Sequence, residues 1–468
     1  MTTTAVPMTA PPQTVRGPAP APRWWADLGG LGAGLSLLVV TALWVRNGAV
    51  QQVAGGGWEA VAALGRLAGL WAADLMLLQV LLLARIPLVE RAFGQDRLAR
   101  WHRWTGFTSF HLMLAHIVLI TLGYAGPVHA NAFAQFWDLL VTYPGMLLAG
   151  AATGLLIMVV VTSVRAARRR LRYESWHLLH LYAYLGVGLA LPHQLWTGAD
   201  FVGSAPARAY WWTLYALCAG AVLIYRLGLP AWRSWRHRIE VSHVVTEGPG
   251  LTSVYLRGRH LDRLPVRAGQ FLQWRFLDGP GWSRAHPYSL SAPPRPDSLR
   301  ITVKDLGDGS ARVAALRPGV RVLVEGPYGK LTGESYTGGP VTMFACGVGI
   351  TPLLALLWEL PYRAGEATLV YRARGEADLA FRTELEWLAA HRGVRLVFLL
   401  GPRAARPSWL PARYAEHTDV AALRQIAADI DRHHVYVCGP DPWTDAVRAA
   451  ARAAGVPADR IHTEQFAW

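Results

Sequence analysis

The sequence predicts a chain of several domains: a six-helix transmembrane bundle, then an antiparallel β-barrel, then an α/β domain built on a parallel sheet. Three observations predict it. Six apolar segments, at about residues 28–45, 60–84, 104–123, 138–164, 176–196 and 209–229, each reach the roughly 20 residues needed to cross the hydrocarbon core. From about residue 238 the texture changes to short alternating runs, "RIEVSHVV", "TSVYLRG", "QFLQWRFL", "LRITVKD" and "VRVLVEG", set between Gly/Pro turns. Beyond "TGGP" at 337–340, apolar strands alternate with helical segments, the pattern of a parallel sheet covered on both faces. The expected boundaries are a tail at about 1–25, the bundle at 26–232, the barrel at 236–335 and the α/β domain at 338–468.

The first ~22 residues are rich in Pro, Ala and Thr and lack the charged-then-apolar order of a cleavable leader, so they read as a disordered cytosolic tail. Arginine sets the orientation of the spans. The loops on one side carry Arg85, Arg91, Arg97, Arg100, Arg103, Arg165, Arg168, Arg169, Arg170, Arg172, Arg226, Arg233, Arg236 and Arg238, against Arg46 and Arg208 on the other. That asymmetry predicts a multi-pass plasma-membrane protein with its N-terminus and entire C-terminal half in the cytoplasm. The formal charge of +15 then reads as positive-inside topology and attraction to anionic lipid, not as nucleic-acid binding. Cys218, Cys346 and Cys438 are the only cysteines and lie far apart, which excludes a disulfide framework, a zinc cluster and a four-cysteine iron–sulfur centre.

Ionisable side chains inside the bilayer are costly and mark function by default. The third span, within "WHRWTGFTSFHLMLAHIVLI", carries His102, His111 and His116. His102 and His116 are 14 residues apart, about 40° short of four turns and ~21 Å along the axis, so they share a face at two depths. His111 lies on the opposite side. The fifth span carries His177, His180 and His193, with His180 and His193 13 residues and ~19.5 Å apart. Both spans run outward, so His102 meets His180 in depth and His116 meets His193, two imidazole pairs suited to two stacked bis-histidine haems. A spacing of 13 leaves His180 and His193 about 140° apart in azimuth on an ideal helix, and Pro192 is expected to kink the span and re-aim His193. His177 is an alternative to His180. Arg66, about two turns inside the second span, is a candidate for a haem propionate. Arg100 and Arg103 are further candidates, or interfacial anchors.

In the second half, "HPYSLSAPP" places His286, Tyr288, Ser289 and Ser291 beside a strand, an aromatic face with hydroxyl donors of the kind a flavin ring needs. "VKDLGDGS" and "EGPYG" are Gly-rich turns whose amides suit pyrophosphate. In "ACGVGITP", Gly347 and Gly349 let a phosphate approach the backbone at a helix N-terminus. Arg372 and Arg374 of "YRAR" are candidates for a 2′-phosphate. Cys438 of "VCGP" stands at a strand end where ligands bind, or is a small buried apolar residue. The aromatics of "HTEQFAW" are placed to cover a flavin face.

Together these segments resemble the ferric reductase and NADPH oxidase superfamily, in which a six-helix di-haem membrane domain is fused to a ferredoxin–NADP reductase-like module. The resemblance covers about residues 28–468 and rests on the two histidine spacings together with the ordered series "HPYSLS", "GPYG", "CGVGITP", "CGP" and an aromatic C-terminus. It implies two b-type haems, the inner on His102 and His180 and the outer on His116 and His193. It implies FAD at His286, Tyr288, Ser289 and Ser291, with Gly309 and Ser310 at the pyrophosphate. It implies NADPH or NADH at Gly347, Gly349, Thr351 and Pro352, with Cys438, Gly439 and Pro440 near the nicotinamide and Phe466 or Trp468 over the flavin.

The expected activity is electron transfer from cytosolic NAD(P)H through FAD and the haems to an external acceptor: ferric iron, oxygen or quinone. No side chain is needed as acid or base. The alternatives are a membrane-anchored flavoreductase without haem, and a sensory component that binds haem and flavin without turnover.

Overall fold

The structure, a computed structural model, describes residues 24–171, 173–279, 281–405 and 407–465. Residues 1–23 of the expected tail and the candidate aromatics Phe466 and Trp468 lie outside the described residues, and the first helix takes up the last two tail positions. The described chain divides into two compact units, one ending at Gly228 and the other starting at Leu229.

The first unit is helical: α1 (Trp24–Arg46), α2 (Ala49–Gly55), α3 (Gly57–Leu82), α4 (Pro87–Phe93), α5 (Gln95–Ala125), α6 (Ala132–Thr142), α7 (Met146–Ser163), α8 (Arg165–Arg168), α9 (Tyr173–Trp196), α10 (Ala199–Val202) and α11 (Ala205–Ala221), followed by a π-helical stretch Val222–Gly228. Among the described residues, five helices are long and apolar enough to cross a membrane: Asp27–Arg46, Gly57–Leu82, Arg97–Ala125, Met146–Ser163 and Ala205–His237. The expectation of six such spans is therefore met for five. The segment expected at 176–196 does form α9, 24 residues long, but His177, His180, His193 and Pro192 lower its hydropathy. The span expected at 138–164 is broken: Pro144 forces Tyr143 into an extended conformation (ψ 136°), which ends α6, and Gly145 turns left-handed (φ 81°) to start α7.

In this unit α3 lies along α5, and α7 lies along α9. Small residues permit the first approach: a Cβ on Gly65 would come 3.0 Å from the Ile120 nitrogen, and one on Gly123 would come 2.8 Å from the Ala62 Cβ. A buried polar knot ties α1, α3 and α11, with Ser36 Oγ and Tyr210 OH each donating to Asp74 Oδ1 at 2.7 Å.

The second unit opens with α12 (Leu229–His237), then β1 (Glu240–Gly248), β2 (Leu251–Arg257), β3 (Phe271–Phe276), β4 (His286–Ser289), β5 (Ser298–Lys304), α13 (Asp308–Ala311) and β6 (Val322–Tyr328). The strands form two antiparallel three-stranded sheets, β1-β2-β5 and β4-β3-β6, over a shared core of Leu256, Leu272, Trp274 and Ile301. The closed barrel expected from the sequence is thus corrected to two open sheets. Isolated bridges at Glu240–Arg321 and Leu290–Ile301, with backbone hydrogen bonds such as Val322 N–H to the Ile239 carbonyl, join them. After Ser291 the chain reads Ala-Pro-Pro, and prolines, lacking an N–H, cannot extend a ladder from β4 to β5. The edge of β6 is met by α12, where Ser234 Oγ accepts from the Val324 amide at 3.1 Å.

The chain then alternates: β7 (Val341–Cys346), α14 (Ile350–Glu359), β8 (Ala367–Ala373), α15 (Arg382–Arg392), β9 (Arg395–Leu400), α16 (Asp419–Ile426), β10 (His434–Gly439), α17 (Asp441–Ala453) and β11 (Ile461–Gln465). The five strands are parallel in the order β11-β10-β7-β8-β9. One face is covered by Leu353, Leu357 and Leu385, the other by Trp409, Leu423 and Val447. The chain leaves β7 toward β8 and later returns to β10 on its other flank. The ends of β7 and β10 therefore frame a topological switch point, where open α/β sheets bind ligands.

Candidate functional site

Within the helical unit the four candidate histidines meet as two pairs. The His102 and His180 ring centres are 5.9 Å apart, and those of His116 and His193 are 6.3 Å apart. His177 is exposed on α9, and His180 is the residue that faces His102. In each imidazole Nδ1 is engaged. His102 Nδ1 donates to the Gln79 carbonyl at 3.1 Å and His116 Nδ1 to the Gly65 carbonyl at 2.8 Å. His180 Nδ1 meets Ser163 Oγ at 3.2 Å, and His193 Nδ1 meets Thr197 Oγ1 at 2.8 Å. The Thr197 hydroxyl donates to the His193 carbonyl, so its oxygen accepts from Nδ1–H. At His102, His116 and His193 these bonds fix the proton on Nδ1 and leave Nε2 with its lone pair, the usual support of a metal-bound histidine, while at His180 the Ser163 hydroxyl can donate or accept.

Imidazole nitrogen sits about 2 Å from a first-row metal, so two rings gripping one iron from opposite sides have centres about 6 Å apart. Both pairs fit that distance. Gly69 makes room for the His116 ring: a Cβ there would come 2.5 Å from His116 Nδ1. Among the described residues no group of three or more His, Cys, Asp or Glu side chains could hold a metal ion. Arg66 is held by Asp200 (3.4 Å) and Gln52, while Arg100 and Arg103 are exposed on α5.

In the flavin candidate region, His286 and Tyr288 stack at 5.9 Å with planes 9° apart. Burial pushes the Tyr288 phenol above its ordinary value, so it stays a neutral donor. Ser289 is buried and its Oγ has no hydrogen-bond partner, an orphan that a ligand's polar atom would satisfy. At the other end of β4, a cavity of about 270 Å³ is lined by Arg284, His286, Gly309, Arg312, Val313 and Leu316. A Cβ on Gly309 would press 2.7 Å from the His286 ring. The region therefore fits a stacked, hydrogen-bonded ring with an anionic tail. Ser291 and Ser310 are differently placed. Ser291 Oγ accepts from Arg300 Nε at 3.1 Å and from Thr302 Oγ1 at 2.8 Å. Ser310 Oγ accepts from the Leu306 amide at 2.8 Å, closing its own turn.

At the switch point the two Gly loops touch. Gly347 is left-handed (φ 56°), and any Cβ on Gly349 would run into the Cys438 carbonyl. One on Gly439 would come 2.8 Å from the Cys346 Cβ. Thr351 Oγ1 donates to the Val348 carbonyl at 2.9 Å, and Pro352 is buried in the first turn of α14. Pro440 precedes α17. Burial holds the Cys438 thiol well above its ordinary value, so it is a neutral small side chain. Arg372 and Arg374 separate in role. Arg372 is buried and donates to the carbonyls of Ala373, Leu399 (3.3 Å) and Pro402 (3.0 Å), whereas Arg374 is exposed just past the end of β8. Glu464 accepts from the amides of Lys330 and Leu331 at 3.1 and 3.2 Å, anchoring the last strand to the "GPYGK" loop.

Sequence reasoning missed the partners of the imidazoles. Thr197 was readable, one turn after His193; Gln79, Gly65 and Ser163 sit on other helices and carry no local signal.

A helical bundle with paired imidazoles, joined to a two-lobed flavin- and nucleotide-type module, defines a membrane oxidoreductase class. Residues 68–191 match the family described as "Ferric reductase like transmembrane component", and residues 343–449 match "Oxidoreductase NAD-binding domain". The chain is 35% identical over 211 residues to ferredoxin–NADP reductase B of Sorangium cellulosum, covering 42% of this chain and 84% of that protein. It is 31% identical over 210 residues to the ferredoxin reductase component of 3-ketosteroid-9-alpha-monooxygenase from Rhodococcus rhodochrous, covering 44% of this chain. It is also 31% identical over 249 residues to the flavohemoprotein of Chromobacterium violaceum, covering 50% of this chain and 61% of that protein. The chain spans 57% of the length of the Rhodococcus component, little more than half. The chain belongs to the superfamily that fuses a ferric reductase-like transmembrane domain to a ferredoxin–NADP reductase-like module.

Proposed function

We propose that the protein is a multi-pass plasma-membrane oxidoreductase that takes electrons from cytoplasmic NAD(P)H and delivers them, through FAD and two b-type haems, to an acceptor across the membrane: ferric iron, oxygen or quinone. The observation that carries this reading is the pair of imidazole pairs, His102 with His180 and His116 with His193, each with Nδ1 turned to the protein. Bound flavin would link two-electron to one-electron chemistry, and six-coordinate haems would carry single electrons with little ligand rearrangement.

The chain's own residues hold, orient and shield. His102 and His180 would grip the inner haem and His116 and His193 the outer, and the Gln79 and Gly65 carbonyls keep the protons of His102 and His116 on Nδ1. Two sites at different depths divide the ~30 Å hydrocarbon thickness into short steps. Ser289 would donate to a flavin ring atom while His286 and Tyr288 offer it their faces, and Gly309 keeps the approach open. Gly347 and Gly349 let the nucleotide's phosphates reach the amides at the start of α14, and Arg374 supplies a cation for a 2′-phosphate. Domain limits of 26–232, 236–335 and 338–468, with the last two cytoplasmic, follow from the same reading.

Purified full-length protein, reduced anaerobically with NADPH or NADH, tests it by a reduced-minus-oxidised spectrum. Two low-spin haems per chain that reduce after the flavin are expected. A preparation that is yellow and haem-free would favour a membrane-anchored flavoreductase, and haems that nucleotide never reduces would favour a sensor. Ferric chelate reduction set against oxygen consumption then identifies the acceptor.

A further inference from the structure

The geometry points to Arg300 and Glu384 as positioning residues that hold the nucleotide-binding loop in register with the flavin-binding strand, an inference that rests on the function proposed above. Four side chains form one continuous path, buried at Ser291, Arg300 and Trp358 and half-buried at Glu384. Ser291 closes the "HPYSLS" segment and is fully buried. Its Oγ accepts from Arg300 Nε at 3.1 Å, and its carbonyl accepts from Arg300 Nη2. The same guanidinium turns its fork to Glu384 on α15, with Nη1 to Oε2 at 2.9 Å and Nη2 to Oε1 at 3.1 Å. Glu384 Oε1 then accepts from Trp358 Nε1 at 2.6 Å. Trp358 lies on α14, the helix that the Gly347–Gly349 turn opens.

The path thus runs from the flavin candidate strand, through β5, to the helix that carries the phosphate candidate loop. Its chemistry is that of a rigid clasp rather than a surface ion pair. Bidentate Arg–carboxylate pairs fix direction as well as distance, and lysine cannot reproduce the fork. A third contact locks the corner: Phe381, which precedes α15, is left-handed (φ 58°), and its ring lies 5.2 Å from the Arg300 guanidinium. A non-glycine residue keeps that conformation only where its surroundings over-determine it. Neither Arg300 nor Glu384 borders the cavity beside His286. Their effect on hydride transfer therefore passes through Ser291 and α14, and transfer tolerates little error, since an offset of about 1 Å costs about a hundredfold.

The test uses the full-length chain loaded with FAD and the variants Arg300→Lys, Glu384→Gln and Trp358→Phe. NADPH- and NADH-driven reduction of ferricyanide is measured with FAD content, melting temperature and the isotope effect from 4-deuterated nucleotide. Arg300→Lys and Glu384→Gln are expected to keep FAD and a KM within about twofold, while kcat falls about ten- to a hundredfold and the isotope effect rises. Trp358→Phe, which loses only one donor, should move both readouts the same way by less. If kcat falls only in proportion to lost FAD, or stays at the parent value in variants that keep FAD, the positioning role is overturned. Should Arg300→Lys fail to fold, the other two variants decide. If the parent chain's flavin is reduced by neither nucleotide, the functional reading itself has failed and this inference falls with it.

Discussion

His102 and His180 face each other with ring centres 5.9 Å apart, and the Nδ1 atoms of both point away from the gap, to the Gln79 carbonyl and the Ser163 hydroxyl. The second pair repeats the arrangement, with Gly65 and Thr197 as the supports. A metal-bound histidine loses its site when the ring is removed. His116→Ala and His193→Ala should each leave one low-spin haem per chain, with flavin reduction by nucleotide near the parent rate. Two spectroscopically normal haems in both variants would refute the ligand assignment.

The space for the His116 ring depends on a missing side chain. Gly69→Val should remove the outer haem, because even its Cβ would come 2.5 Å from Nδ1. Gly154→Ala, whose Cβ meets nothing within 4 Å, should keep both haems. Haem content per chain, by pyridine haemochrome, compares the two.

Ser289 makes the flavin site testable without disturbing the fold. Its hydroxyl has no partner to lose, so Ser289→Ala should leave the melting temperature of the FAD-free chain unchanged or slightly raised. FAD affinity should fall about five- to tenfold, the worth of one hydrogen bond. Fluorescence titration with FAD reads the affinity, and a value equal to the parent's would remove Ser289 from the site.

Arg372 and Arg374 should respond differently to the same change. Arg372→Met strips donors from three carbonyls and should cost about 1–3 kcal/mol of stability, seen in the melting temperature. Arg374→Met should leave stability unchanged and raise KM for NADPH more than for NADH. Equal effects on the two nucleotides would end its assignment to a 2′-phosphate.

Acid should loosen the nucleotide lobe through His462. Burial, with His434 Nδ1 3.2 Å away, pulls this imidazole from its ordinary 6.5 down to about 4. The folded chain keeps it neutral across that range while the unfolded chain takes up a proton, so the contribution is intact above about 6.5 and is lost as pH falls toward about 4. Melting temperature should therefore drop between those pH values, and His462→Gln should flatten the slope. An unchanged slope in that variant would exclude His462 as the source.

Much of the helical half was legible because helix rise is set by the backbone alone. Spacings of 14 and 13 residues told which histidines share a depth. They did not tell azimuth: His180 and His193 are about 140° apart on an ideal helix, yet each meets a partner on α5. The choice of His180 over His177 likewise belongs to the packing of α9. In the other half, period-two alternation puts Arg372 and Arg374 on the same face of a strand, and only the end of β8 at Ala373 separates a buried carbonyl-binding residue from an exposed one.

The sequence by itself determined five of the six expected spans, the strand-and-helix alternation, the Gly loops and the axial spacing of the histidines, because each is written in local spacing and residue type. Only the tertiary structure decided that the flavin-type sheets stay open, that Ser163 and Gln79 support imidazoles on other helices, and that Arg300 reaches Glu384 84 residues away. Those outcomes depend on how distant segments settle against one another, and a pairing across such separations has no periodic trace in the chain that forms it.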